Sequence, residues 1–576
     1  MNHDDPFSEA ADDREPADIS KSDGEASDTG ELKRDEAADR KLRRWGLLRE
    51  RRQYHFLRAA LVGLLAGVCA VLFQSALFYT EGLRNHFLLW LRMFPHWGWI
   101  VLPVISAGMG ALAGLITSRY APEASGSGIP HVKAVLLQLR PMRWQRILPV
   151  KFIGGVLAIG AGFSLGREGP TVQMGAAAAK MLSQALKVPK RSRSQLIAAG
   201  AGAGLAAAFN APLAGFIFTI EELQREMSPV TYGTALIAAV VGDIVARTFN
   251  GQFPSFHVSG YPTPPLAALP LFAVLGLLCG VMGVLFNRGL LRSLRLFHGW
   301  TRWPAWVRPA LVGIIVGLLA WWLPSAVGGG HATAELVLRG KAYTLLTGHI
   351  TLLRLVGFLA LLLAVKFILT LISYASGVPG GIFAPLLVLG ALMGAIMGRI
   401  AGIWWPSMAH TPAAFAVIGM AAAFSAIVRA PLTGIVLILE MTGNYQQLFP
   451  LVVASLIAYL VAEHMHNKPI YEALLEYQLE SGGERPSGSR EAILLDMAVE
   501  ASSRMDGKSV RDLSLPKGCL LVTVNRAGRE IVPSADTKLL SGDHLTVIVS
   551  GDKPEACAVV QGMATQDRQG TPIPPV

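Results

Sequence analysis

The sequence predicts an all-α polytopic membrane protein, built as two inverted-topology repeats of broken, tilted helices and followed by a small cytosolic α+β domain. Three observations carry that expectation. With 52% hydrophobic and 16% charged residues over 576 positions and a mean hydropathy of +0.43, the chain is too apolar for a soluble enzyme. It holds 60 glycines and 34 prolines, an abundance that suits helices interrupted part way through a bilayer. And its apolar part repeats itself, as set out below.

Taken in order, residues 1–39 are acidic and poor in large apolar side chains, so they are expected to be disordered, and they contain no apolar core of a cleavable signal. Residues 40–58 are a basic juxtamembrane segment, in which Arg40, Lys41, Arg43, Arg44, Arg49, Arg51, Arg52 and Arg58 crowd the approach to the first apolar window. That pattern retains an N-terminus in the cytosol, so the net charge of +11 is topological and does not point to nucleic acid. The membrane domain spans residues 59–480, with repeats at about 59–250 and 266–480. Its apolar windows lie near Leu57–Phe78, Ile100–Thr117, Ile147–Leu165, Leu236–Ala246, Leu266–Phe286, Ala310–Leu323, Leu352–Ile372, Leu386–Ile400 and Leu448–Val461, several too short to span alone. Residues 481–489 form a Gly/Ser-rich linker. In 490–565, Ile493–Glu500, Cys519–Val524 and His544–Val549 have strand patterns, Ser509–Leu513 and Lys553–Val559 helical ones, and 566–576 is a tail. Cys69, Cys279, Cys519 and Cys557 show no C-x-x-C pairing and read as small apolar side chains, so no metal or other cofactor is expected.

The repeat has three pieces. Lys151-Phe152-Ile153 returns as Lys366-Phe367-Ile368, and Gly166-x-x-x-Pro170 as Gly381-x-x-x-Pro385, both displaced by 215 residues. Ala211-Pro212-Leu213-x-Gly215 with Glu221 returns as Ala430-Pro431-Leu432-x-Gly434 with Glu440, displaced by 219. Transporters with such repeats place their site where broken helices of the two halves meet. The repeat also sorts polar residues. Lys151 with Lys366 and Glu221 with Glu440 are paired and suit a scaffold, whereas Glu168 stands opposite Phe383 and Glu222 opposite Met441. A carboxylate at the bilayer centre costs about 2.5–3.5 kcal/mol to insert, so these unpaired ones are functional candidates. Successive helix positions point about 100° apart, so Glu221 and Glu222 cannot serve one face. Glu168 falls where glycines end one apolar stretch and another begins, in the first turn of a helix that starts inside the membrane, and such a start attracts anions.

Gly126-Ser127-Gly128-Ile129-Pro130, Gly166-Arg167-Glu168-Gly169-Pro170 and Gly381-Ile382-Phe383-Ala384-Pro385, followed by Asn467-Lys468-Pro469-Ile470-Tyr471, resemble the CLC family of chloride channels and proton/chloride exchangers over about Arg58 to Leu479. The resemblance implies a central anion site lined by the hydroxyls of Ser127 and Tyr471 and the main-chain N–H groups of Ile382 and Phe383, with Gly126 allowing close backbone approach. Neutral donors suit a partly dehydrated halide that must also leave. Serine at position 127 resembles chloride-preferring members. Glu168 is implied as the gate, and Glu222 aligns with the internal proton-transfer glutamate of exchangers, where channel members carry an apolar residue. The implied function is chloride/proton exchange, with a passive voltage- or ligand-gated chloride channel as the alternative. The implied assembly is a homodimer in the inner membrane, with one pathway per subunit and both termini cytoplasmic.

Leu520–Arg526, Ile531-Val532-Pro533 and Leu540–Leu545 are similar to the C-terminal subdomain of TrkA-type potassium-transport regulators, without the nucleotide-binding half. An unknown small ligand or a dimer contact is the expectation for this domain. A potassium channel would need a Thr-Val-Gly-Tyr-Gly-like filter, which the sequence lacks. An intramembrane enzyme would need a nucleophile or a metal cluster beside Glu168 and Glu222, and His464 with His466 do not supply one. The chain is therefore not expected to be an enzyme.

Overall fold

A computed structural model describes residues 23–224, 229–252, 256, 264–299, 303–339, 351–405, 411–481, 493–526, 529–550 and 555–565. The chain divides into two compact units, with the boundary between Leu475 and Glu476. Among the described residues the first carries two runs of eight helices. One run is α1 (Asp23–Leu91), α2 (Pro95–Tyr120), α3 (Ile129–Leu136), α4 (Trp144–Gly160), α5 (Glu168–Ala185), α6 (Lys190–Phe209), α7 (Pro212–Phe218) and α8 (Pro229–Asn250). The other is α9 (Leu269–His298), α10 (Val307–Trp322), α11 (His331–Leu338), α12 (Leu352–Ala375), α13 (Phe383–Trp404), α14 (Pro412–Val428), α15 (Pro431–Thr442) and α16 (Leu448–His464). A further helix, α17 (Ile470–Ser481), crosses the unit boundary, and its first turn belongs to the membrane unit, with Ile470 and Tyr471 fully buried. Among the described residues seven helices are long and apolar enough to cross a membrane. Lipid-facing positions such as Leu72, Val104, Leu285 and Leu361 are exposed, as expected where the solvent is hydrocarbon.

The halves match element by element. α5 packs on α6 at Gly175 and Gly200, where a Cβ on Gly175 would strike the Gly200 carbonyl; α13 packs on α14 at Gly390 and Gly419 in the same manner. Each pair is the repeat image of the other, and small residues let the backbones approach as membrane helices require. The repeat also reaches further than the three sequence pieces. Gly126 and Gly128 sit at φ +63° and +86°, and Gly328 and Gly330 at +69° and +84°, each pair leading into an eight-residue helix, α3 or α11. Pro122, Ala124, Gly126, Gly128, Val135 and Leu136 return as Pro324, Ala326, Gly328, Gly330, Val337 and Leu338, and the displacement of 202 residues, unlike the 215 and 219 of the other pieces, hid this piece from the sequence comparison.

Residues 1–22 lie outside the described residues, but from Asp23 onward the backbone is helical and continuous with α1, where disorder was expected up to residue 39. The segment is rich in Ala, Glu, Lys and Arg, all good helix formers, and a membrane helix extends it. Residues 482–490, which hold most of the expected linker, lie outside the described residues.

The second unit contains an antiparallel sheet of β1 (Ile493–Ala498), β2 (Cys519–Arg526), β3 (Arg529–Ile531) and β4 (His544–Val549) in the order β1-β4-β2-β3, with helix α18 (Glu555–Thr565). Its core is formed by Met497, Leu521, Val524, Leu545, Val547, Val549 and Val560. The Ser541–Asp543 turn is fixed by Asp543, whose carboxylate accepts from Leu540 N–H at 2.8 Å and from Arg526 Nε and Nη2 at 2.8 and 2.7 Å. That fork holds the Asp543 carboxyl below the usual carboxylate range. The short strand β3 went unrecognised because three residues show no alternation.

Candidate functional site

Three glycine-rich loops meet at the middle of the membrane unit and are tied by main-chain hydrogen bonds. Gly126 N–H donates to Val378 O at 3.1 Å, and Gly380 N–H donates to Gly126 O at 3.0 Å. Gly166 N–H donates to Gly381 O at 2.6 Å, and Gly381 N–H returns to Gly166 O at 2.8 Å. Only residues without side chains allow this approach: a Cβ on Gly126 would sit 2.8 Å from the Tyr374 hydroxyl, and one on Gly169 2.7 Å from Ser127 Oγ.

The Gly126 loop and its repeat counterpart at Gly328 are each held from behind by a buried lysine. Lys151 Nζ donates to Ala124 O at 2.9 Å and Gly126 O at 2.6 Å, and Lys366 Nζ donates to Ala326 O at 3.1 Å and Gly328 O at 2.5 Å. The paired glutamates are equally reciprocal. Glu221 accepts from Leu432 and Thr433 N–H at 3.2 and 2.7 Å, capping α15, while Glu440 accepts from Leu213 and Ala214 N–H at 3.1 and 2.8 Å, capping α7. These bonds satisfy donors that a helix start leaves unpaired.

The unpaired residues converge. Glu168 is the first residue of α5, is 2% exposed, and its Oε2 accepts from Ala384 N–H at 3.3 Å, in the first turn of α13. The carboxylate thus occupies an anion's position at a helix start of the opposite half. Ser127 lies against the neighbouring Gly169. Its amide donates to Tyr374 Oη at 3.3 Å, and its hydroxyl oxygen accepts from Ile129 N–H at 3.4 Å. Tyr471 is fully buried, its hydroxyl makes no hydrogen bond to protein among the described residues, and it is within electrostatic reach of Ser127, Glu168 and Glu222. Ile382 and Phe383 form the turn into α13, and the Phe383 ring packs on Phe424 and Phe209 at 4.5 and 5.3 Å.

Glu222 lies on a π-helical turn, Thr219–Gln224, that prolongs α7; its counterpart α15 stays α-helical to Thr442. The widened turn separates two adjacent carboxylates. Glu221 reaches α15, and Glu222, 2% exposed, pairs with Lys133 Nζ at 2.7 Å. A cavity of about 700 Å³ is lined by Glu168, Arg167, Arg84, Glu81 and His331, among others.

Sequence reasoning missed three contributors. Ala384 acts through its main chain, which leaves no signature. Lys133 carried a visible signal, a lysine between apolar residues of the helix that follows Ser127. Tyr374 resembles any other aromatic residue of an apolar window.

Comparison with known proteins agrees with this geometry. The sequence profile described as voltage gated chloride channel matches residues 109–463, and that of the TrkA-C domain matches 494–555. The H(+)/Cl(−) exchange transporter ClcA of Vibrio cholerae is 40% identical over 432 residues, covering 73% of this chain and 89% of that protein. ClcA of Vibrio vulnificus is 41% identical over 428 residues, covering 72% and 88%. The crystal structure of a slow cyanobacterial Cl−/H+ antiporter superimposes with a TM-score of 0.69 at 38% identity, over 74% of this chain and 99% of that one. The chain is therefore a multi-pass membrane protein that belongs to the voltage gated chloride channel (CLC) family and carries a C-terminal TrkA-C domain.

Proposed function

We propose that this protein is a secondary active transporter that exchanges chloride for protons across the membrane. The observation that carries the proposal is the Glu168 carboxylate seated on the Ala384 amide beside Ser127, a tethered anion in the place a mobile one would take. Chloride and this carboxylate compete for one seat, so an arriving chloride displaces Glu168, which takes a proton as it leaves. Ser127 and Tyr471 contribute hydroxyls to the anion, Ile382 and Phe383 contribute amides, and Gly126 shapes the loop. Glu222 passes protons between the cytosol and Glu168.

The relatives' names, exchange transporter and antiporter, support exchange over a passive voltage- or ligand-gated chloride channel. So does the buried Glu222, since a channel has no use for a second carboxylate. The basic residues 40–58 support cytoplasmic termini and an inner-membrane orientation. We place the pathway within each subunit of a homodimer and assign the TrkA-C domain to binding an unidentified small ligand.

Reversal potentials of reconstituted protein under crossed chloride and proton gradients test this directly. An exchanger's potential shifts with both gradients; a potential that follows chloride alone makes the protein a channel.

A further inference from the structure

Behind the anion loop, a chain of hydrogen bonds admits one arrangement of protons. Gln173 lies on α5, five residues past Glu168, and is fully buried. Its Nε2 stands 2.8 Å from Glu123 O and 3.2 Å from His131 Nδ1. A main-chain carbonyl can only accept, so the amide must turn its NH2 group toward Glu123. That same NH2 group faces His131 Nδ1, which must therefore offer a lone pair. The imidazole is neutral, with its proton on Nε2, and the Pro141 carbonyl is within reach to accept it.

The position of this pair gives it a role. His131 is 2% exposed, on the first turn of α3, and the N-cap of α3 is Gly128 of the anion loop. The Gln173 amide packs against Gly128, where any Cβ would collide with it. Three charged groups act on the ring, and two of them have hydrogen-bond partners of their own. Glu123 takes the Arg143 guanidinium at 2.9 and 3.1 Å, Lys151 holds the loop carbonyls, and Arg140 adds a like charge. A proton on Nδ1 would set two donors face to face and open the contact.

We propose that His131 and Gln173 are positioning residues, a neutral imidazole–amide latch that holds the Gly126–Gly128 loop against the gate helix α5 and so fixes the Ser127 hydroxyl relative to the Glu168 seat. The latch acts on chloride affinity and not on the proton route, and it rests on assigning the Ser127 loop to chloride.

Calorimetric titration of the purified full chain with chloride tests it. His131→Leu is expected to weaken binding by about five- to tenfold, the loss of one buried hydrogen bond, and Gln173→Leu by at least as much, because it also loses the bond to Glu123 O. The double variant is expected to be no weaker than the poorer single one, because both break the same contact. His131→Asn keeps an acceptor where Nδ1 stands and stays within about twofold of the parent. Unchanged binding in His131→Leu, multiplied losses in the double variant, or an asparagine variant as weak as the leucine one overturns the latch. A parent protein that binds no chloride overturns the chloride assignment instead. Should the leucine variants not fold, the ring's 15N shifts, assigned by comparison with His131→Asn, decide the matter. A neutral ring protonated at Nε2 near neutral pH is expected, and a charged ring or the opposite tautomer contradicts the latch.

Discussion

The two halves of the membrane unit share a backbone plan and differ in a few side chains, and the residues proposed above to act in transport are among the unshared ones. Lys151 and Lys366 hold equivalent loops by equivalent carbonyl bonds. Glu221 and Glu440 cap each other's partner helices. Where the halves part, one side carries chemistry and the other fills space. Glu168 reaches the Ala384 amide while Phe383 packs among aromatic rings, and Glu222 pairs with Lys133 while its counterpart Met441 is buried with apolar neighbours. Ser127 has Gly329 as its counterpart, so only one of two equivalent loops presents a hydroxyl. A duplicated scaffold creates facing helix starts, and in the proposed account loss of symmetry at a few positions makes one pathway from them.

The sharpest way to break this comparison uses two adjacent residues. Glu222→Gln is expected to reduce chloride-coupled proton movement by roughly a hundredfold or more while chloride flux persists, as for loss of a proton-transfer group. Glu221→Gln should leave the coupling of the folded protein intact and lower its thermal stability only. Equal effects of the two on proton pumping into vesicles would erase the distinction.

Next in size are the loop lysines. Lys366→Met strands two buried carbonyls, at a cost of roughly 1–3 kcal/mol, and should lower the unfolding temperature in detergent by several degrees. Protein that survives should exchange ions at the parent's stoichiometry. A changed stoichiometry with unchanged stability would move Lys366 from the scaffold into the pathway.

Ser127→Ala removes one hydroxyl donor and should weaken chloride binding about fivefold, measured by calorimetry, without altering the proton to chloride ratio. The smallest effect lies in the second unit. The pKa of Asp543 is lowered on folding, so its pairing with Arg526 stabilises fully above the ordinary aspartate pKa and is lost as pH falls through the lower, folded value. Amide-exchange protection of β4 should therefore weaken only on the acid side of about pH 4, and Asp543→Asn should remove that acid limb.

Much of this was legible in the residues themselves. A lysine or glutamate buried in an apolar window is conspicuous, and its recurrence at a fixed displacement exposed the duplication and sorted the polar groups. The composition fixed the solvent, and the Gly-x-x-x-Pro pieces marked the broken helices. What escaped were contacts made by groups common to every residue. The Ala384 amide, the glycine-only counterpart loop at 328–330 and the π-turn beneath Glu222 depend on where the backbone goes. The orientation of Gln173 and the His131 tautomer likewise follow from which atoms face a carbonyl, which no motif records.

The central claim is that the Glu168 carboxylate and chloride compete for one seat at the start of α13. Anomalous diffraction from bromide-soaked crystals of Glu168→Gln, compared with the parent, tests it most directly. The account predicts a bromide peak within hydrogen-bond reach of the Ala384 amide in the variant, where the parent holds the carboxylate. A variant with no peak there, or a parent with bromide on that amide beside an undisplaced Glu168, would contradict it.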